Sequence, residues 1–176
     1  MSRAFESDVS QLSKSAKRVQ DELLKYGLSL RVVELSTSTR TANDAAASIG
    51  CEVAQIVKTL LFRCVETNEP VLILASGVNR VNEKSIEHRL GKKMMKADAD
   101  YTRDVTGFAI GGVSPVGHQQ KIDFIFIDED LLQFETIWAA AGTPNAVFSL
   151  SPNDLQRLTG GKVVSVTGWL YKTRLI

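Results

Sequence analysis

Short apolar stretches rich in β-branched residues outnumber helical stretches along this chain, and the two kinds do not alternate strictly. A doubly wound parallel sheet needs a helix between successive strands, so that architecture is disfavoured. The pattern predicts an α/β domain of the α+β type, a mixed sheet with helices packed around it. Predicted strands cover 30–35, 56–65, 70–75, 93–96, 122–127, 134–140, 146–150 and 163–166. Predicted helices cover 41–50, 82–90 and 98–106, with a short turn near 52–55 and a further short helix opened by Ser151-Pro152. An earlier helix follows from the apolar spacing of Val9, Leu12, Ala16, Val19 and Leu23, with Gly27 as its stop. Residues 1–10 are polar and are expected to be flexible.

A length of 176 residues suits one domain with a sizeable core. Lys plus Arg is 21 against 20 for Asp plus Glu, so a general polyanion coat is excluded while a local basic patch is not. Cys51 and Cys64 match no Cys-x-x-Cys redox or zinc spacing and read as reduced, half-buried thiols. His88 and His118 are too few and too far apart to nominate a metal site. The start has no apolar signal core, and no apolar run approaches the roughly 20 residues of a spanning helix, so the cytoplasm is the expected compartment. No phosphate-binding glycine fingerprint follows a strand, and no G-x-S-x-G nucleophile elbow occurs.

Four features are candidates for chemistry. Lys58 interrupts the apolar run Gln55–Arg63, on the strand face it shares with Ile56, Leu60 and Phe62. An ammonium there must reach water, a partner or a cleft; a lysine snorkelling from a strand end is the ordinary explanation. Gly111-Gly112-Val113-Ser114-Pro115 has the form G-x-x-x-P. Its glycines let backbone approach a ligand, and its N–H groups can bind oxygens, although a plain surface turn accounts for it equally well. Thr39-Arg40-Thr41 precedes a helix whose first N–H groups are free to bind an anion or to be capped. Two basic groups, Arg89/Lys92/Lys93/Lys96 and Lys14/Lys17/Arg18, are either phosphate contacts or solvated faces.

Together the pieces carry more. An Ala-rich helix leads into Gly50-Cys51-Glu52, then Gln55-Ile56-Val57-Lys58-Thr59-Leu60-Leu61-Phe62. The strand Pro70–Gly77 comes next and then Gly111–His118, with the lysine and the glycine loop about fifty residues apart. This order resembles the YbaK/EbsC family of aminoacyl-tRNA deacylases, free-standing relatives of the editing insertion of bacterial prolyl-tRNA synthetase. The resemblance runs from about Leu30 to Gly168 and marks 11–176 as an editing domain. It implies a single compact domain around a mixed, partly barrel-like sheet. It further implies hydrolysis of the ester between a wrong amino acid and the terminal ribose of a tRNA, commonly tRNA for proline. The family's lysine maps onto Lys58 and its loop onto Gly111, Gly112, Ser114 and Pro115, with no metal or organic cofactor. Thr39, Arg40, Thr41, Thr59, Ala141 and Gly142 are the expected substrate-binding residues. The expected partners are the acceptor end of an aminoacyl-tRNA and prolyl-tRNA synthetase.

Ester hydrolysis builds negative charge on the carbonyl oxygen, which an ammonium and loop N–H groups can stabilise. An electrostatic and anchoring role for Lys58 is favoured over a general base, because nothing in the sequence depresses its pKa. Water is the expected nucleophile; in cysteine-specific members the substrate thiol can attack instead. Those members carry Ser-Gly-Gly near the pocket, where this chain reads Ala140-Ala141-Gly142-Thr143-Pro144-Asn145. That resembles the relatives that clear serine, threonine or alanine. The competing readings are a non-catalytic module that holds aminoacyl-tRNA or a synthetase, and a small-molecule binding domain with no link to tRNA.

Overall fold

The computed structural model describes residues 11–168; the expected flexible start, residues 1–10, lies outside them. The first helix, α1 (Lys14–Lys25), begins at Ser13, whose hydroxyl accepts from the Ala16 N–H, so Leu12 precedes the helix. Strand β1 (Val32–Glu34) is shorter than the expected 30–35. The reason is Gln20, a buried side chain on α1. It donates to Leu30 C=O at 2.9 Å and accepts from Val32 N–H at 2.8 Å, taking the backbone groups that would extend the strand.

Helix α2 (Ala42–Ile49) is capped by Thr41 and closed by Gly50 at φ 83°. After a 3-10 turn at Val53–Gln55 come β2 (Ile56–Cys64) and β3 (Pro70–Ser76). Helix α3 (Glu83–Leu90), β4 (Met94–Lys96) and α4 (Ala99–Thr106) follow. The remaining elements are β5 (Phe124–Asp128), β6 (Ile137–Ala140), β7 (Ala146–Leu150), α5 (Pro152–Thr159) and β8 (Lys162–Val164). A 3-10 turn at Glu129–Gln133 and the Gln55 amide bonded to Thr136 C=O delay β6 to residue 137. Strand β8 stops at Val164 because Val166 C=O is taken by Asn82 N–H, at the start of α3.

The mixed sheet runs β1-β7-β6-β2-β3-β5-β8 and is open, ending on β1 and β8. Strand β3 pairs antiparallel with β2 and parallel with β5, and its residues are buried on both faces, hence its unbroken apolar run. Leu72 and Leu74 meet the main core with Ala16, Val19 and Leu23 of α1. Val71, Ile73 and Ala75 meet the second core with Ile86 of α3.

One detail of the topology positions the site. Strand β2 gives one edge to β3 over residues 57–63, and its other edge is divided between two strands. Strand β6 pairs with Ile56 and Val57, and β4 pairs with Phe62–Cys64. Among the described residues, Lys58, Thr59 and Leu60 have no strand partner on that edge. The sheet is split beside them.

Candidate functional site

A cavity of about 710 Å³ opens at this split, within the size range of small-ligand sites. Lys58, Thr59 and Leu60 of β2 form one wall, with Ala139 and Ala140 of β6, Lys96 at the end of β4 and Ala97 just after it. Ala42, Ala45 and Ile49 of α2 close one end with Trp138, on the small apolar cluster that α2 makes with Ile56. Arg40, Lys58, Arg80 and Lys96 contribute positive charge to the lining against the single carboxylate of Glu83, a balance that suits an anionic ligand.

Lys58 is half-buried and donates from Nζ to the backbone carbonyl of Asn79, in the turn after β3. It is the third residue of β2 rather than a strand end, and its ammonium meets a backbone carbonyl at the cavity wall. Burial pushes its pKa below the ordinary 10.5, the Asp128 charge opposes that shift and Arg80 adds to it. The sequence contained no sign of this depression. Thr59 lines the cavity, but its hydroxyl oxygen is buried away from it without a hydrogen-bond partner.

The glycine loop presents Gly111 and Val113 to the cavity. Gly111 has φ 95° and open space where a Cβ would project, so backbone alone faces the lumen there. The rest of the loop stands behind. Gly112 N–H is spent on Ala109 C=O at 3.0 Å. Ser114 is fully buried; its hydroxyl accepts from Val116 N–H at 3.2 Å, and its carbonyl accepts from His118 Nε2 at 2.7 Å. Pro115 is buried and lies outside the lining.

Three loops meet here. The Thr39 N–H and hydroxyl both donate to Pro144 C=O, the latter at 2.6 Å. A Cβ on Gly112 would stand 2.7 Å from Thr143 Cα. Thr39, Arg40 and Thr41 line the cavity, and the Thr41 hydroxyl caps α2 by accepting from Asp44 N–H at 3.1 Å. Ala141 and Gly142 lie outside the lining: a Cβ on Gly142 would meet Ser15 C=O and the Phe108 ring. Of the expected site residues, Lys58, Thr59, Thr39, Arg40, Thr41 and Gly111 therefore share one cavity, while Gly112, Ser114, Pro115, Ala141 and Gly142 lie outside its lining.

The basic groups of the sequence separate. Lys96 lines the cavity, whereas Lys92 pairs with Glu69 and sits over the Phe124 ring. Arg18 turns inward onto the Phe108 ring at 4.2 Å and donates to Thr106 C=O. Sequence reasoning missed Arg80, Glu83 and Trp138 in the lining. Arg80 carried a signal in principle, as a charge three residues after the Ser76-Gly77 strand stop. Among the described residues, no cluster of His, Cys, Asp or Glu could hold a metal ion, and no helix is long and apolar enough to cross a membrane.

Residues 36–158 match the model of the aminoacyl-tRNA editing domain, and the chain belongs to that family. It is 30% identical to the YwhH protein of Bacillus subtilis over 85% of this chain and 94% of that one. It is 28% identical to an Enterococcus faecalis protein named "Putative Cys-tRNA(Pro)/Cys-tRNA(Cys) deacylase EbsC", over 72% of this chain and 77% of that one. A proline–tRNA ligase of Maridesulfovibrio salexigens shares 34% identity over 57% of this chain and 17% of the ligase. A solved structure described as "Crystal structure of a putative trans-editing enzyme for prolyl tRNA synthetase" superposes with a TM-score of 0.85 at 44% identity, covering 90% of this chain and all of the other.

Proposed function

We propose that this protein is a trans-editing hydrolase that deacylates mischarged aminoacyl-tRNA in the cytoplasm. The observation that carries the reading is the cavity itself. In a chain of the editing family, a half-buried ammonium and a bare glycine backbone line one basic pocket of ligand size. The terminal adenosine enters at the split in the sheet, and Arg40, Arg80 and Lys96 meet its phosphate. Water attacks the ester carbonyl carbon. The oxyanion that forms is stabilised by the Lys58 ammonium and by loop backbone at Gly111 and Val113. Collapse breaks the bond to the ribose oxygen, which takes a proton, and free amino acid and tRNA leave. Gly112, Ser114 and Pro115 hold the loop in shape, and Ala141 and Gly142 hold the facing loop.

For the substrate we favour tRNA for proline carrying serine, threonine or alanine over cysteine. Ala139, Ala140 and Val147 give small, unreactive walls that suit a small side chain. The ligase relative supports prolyl-tRNA synthetase as the enzyme whose errors are cleared.

The test is a deacylation panel of Ser-, Thr-, Ala- and Cys-tRNA for proline, with purified protein. Release of serine, threonine or alanine ahead of cysteine supports the reading. Preferred release of cysteine overturns the substrate assignment. No release from any of the four, where a control editing enzyme works, overturns the hydrolase.

A further inference from the structure

Behind the cavity wall lies a buried carboxylate that the proposed chemistry leaves unused. Asp128 ends β5 and is 1% exposed. Its Oδ2 accepts from Ser76 N–H at 2.9 Å and from the Asn79 side-chain amide at 2.8 Å. Its Oδ1 accepts from Asp130 N–H at 3.0 Å. Three donors converge on two oxygens, the arrangement of a carboxylate. All three are neutral dipoles, so they satisfy the oxygens without cancelling the charge.

Asn79 joins this carboxylate to the site. Its amide also donates to Asp130 Oδ2 at 2.7 Å, so one NH₂ is held by two carboxylates. Its own N–H bonds Ser76 C=O at 2.9 Å, closing the turn after β3. The carbonyl of this clamped residue is the acceptor for Lys58 Nζ. A chain of contacts thus runs from Asp128 through Asn79 to the ammonium, and three sheet strands supply it.

We propose that Asp128 and Asn79 are positioning residues for Lys58: the carboxylate clamps Asn79, and Asn79 presents its carbonyl to hold the ammonium at the cavity wall. The function of this clamp rests on the hydrolase reading; its existence does not. A lysine stem has four rotatable carbons, so an unclamped ammonium samples many positions. Displacement of a catalytic group by about 1 Å costs on the order of 100-fold in rate. The charge on Asp128 also favours the protonated form, against desolvation and against Arg80. The other charged side chains of the cavity are Arg40, Glu83 and Lys96, and Asp130 stands beside Asp128.

The experiment has one readout that needs no tRNA. Protein carrying ¹³C-labelled lysine is titrated by NMR, with the Lys58 signal assigned from Lys58→Arg. Asp128→Asn is expected to lower the Lys58 pKa below its wild-type value, because an opposite charge is lost. Asn79→Ala keeps the carbonyl but loses its clamp, and is expected to displace the Lys58 titration from the wild-type curve. On the mischarged tRNA that wild type clears fastest, both variants are expected to lose roughly 10- to 100-fold in kcat, with KM within about twofold. Gln20→Ala, destabilising but remote, should leave the Lys58 titration unmoved. If Asp128→Asn does not fold, Asn79→Ala carries both readouts. Folded variants whose Lys58 titration matches wild type overturn the clamp, whatever the activity. A titration displaced in the variants, together with a wild type that deacylates nothing, overturns the hydrolase and leaves the clamp standing.

Discussion

Replacing Gly112 by alanine tests how closely the two loops behind the cavity must approach. The Cβ would stand 2.7 Å from Thr143 Cα, 2.8 Å from its carbonyl carbon and 2.9 Å from its nitrogen. All three are backbone atoms, so no side chain can swing aside. Ordinary contact begins near 3.4 Å, and the loops must part by about 0.7 Å. Overpacking of this kind costs about 1–3 kcal/mol, and rigid backbone on the far side places Gly112→Ala towards the top of that range. The displacement also travels. The same segment holds Thr39 through Pro144, and Gly111 faces the cavity. A shift of that size should reduce kcat/KM by at least tenfold beyond any loss of folded protein. Gly111→Ala is the comparison: it meets open space but has φ 95°, so it carries backbone strain of about 1–3 kcal/mol without a clash. Urea denaturation gives the stability, and initial rates of deacylation give the activity. A Gly112→Ala protein as stable and as active as wild type would refute the argument from close approach.

Gln20→Ala removes two hydrogen bonds and strands the Val32 N–H, and should cost about 2–4 kcal/mol in urea denaturation; a loss under 1 kcal/mol would mean that β1 does not depend on this side chain. Thr39→Val deletes the hydroxyl bond to Pro144 C=O and should cost about 1 kcal/mol of stability, with a larger fractional loss in kcat/KM because the 39–41 and 143–145 loops meet through it; equal losses in the two would place Thr39 outside the site. Burial pushes the His118 imidazole below its ordinary 6.5, so the unfolded chain binds more protons between the two values. Its contribution to stability is therefore full above about pH 6.5 and falls as pH drops through that value. Urea midpoints at about pH 7.5 and about pH 5.5 should differ less in His118→Gln than in wild type; an unchanged difference would show that His118 is not the group responsible.

The elements that local chemistry specifies were legible. Thr41, Asn82, Asp98 and Ser151 cap the helices they precede, and Gly50, Gly91, Gly107 and Gly160 close them at positive φ. The β3 run read as a buried strand, and Lys58 read as an intruder on an apolar face. Pairing over long range was not legible. Periodicity reports which face of β2 is buried, and says nothing of β6 and β4 sharing its second edge, the feature that opens the cavity. The strand ends failed for the same reason. Gln20, Gln55 and Asn82 reach across from elsewhere in the chain and take backbone groups that the local pattern assigns to strands. Arg18 carries a charge that composition assigns to the surface, yet the Phe108 ring and Thr106 C=O draw it in. Of the candidate site, the sequence indicated the lysine and the loop that the cavity brings together; that only Gly111 and Val113 of Gly111–Pro115 line it depends on how Thr143 backs Gly112.

The most direct test of the central claim compares wild type with Lys58→Ala in single-turnover deacylation, on the mischarged tRNA that wild type clears fastest, with tRNA binding measured separately. If the Lys58 ammonium stabilises the oxyanion, the variant loses about 100- to 1,000-fold in the chemical step while its tRNA affinity changes by less than about tenfold. A variant that hydrolyses the ester at the wild-type rate once bound would contradict the account.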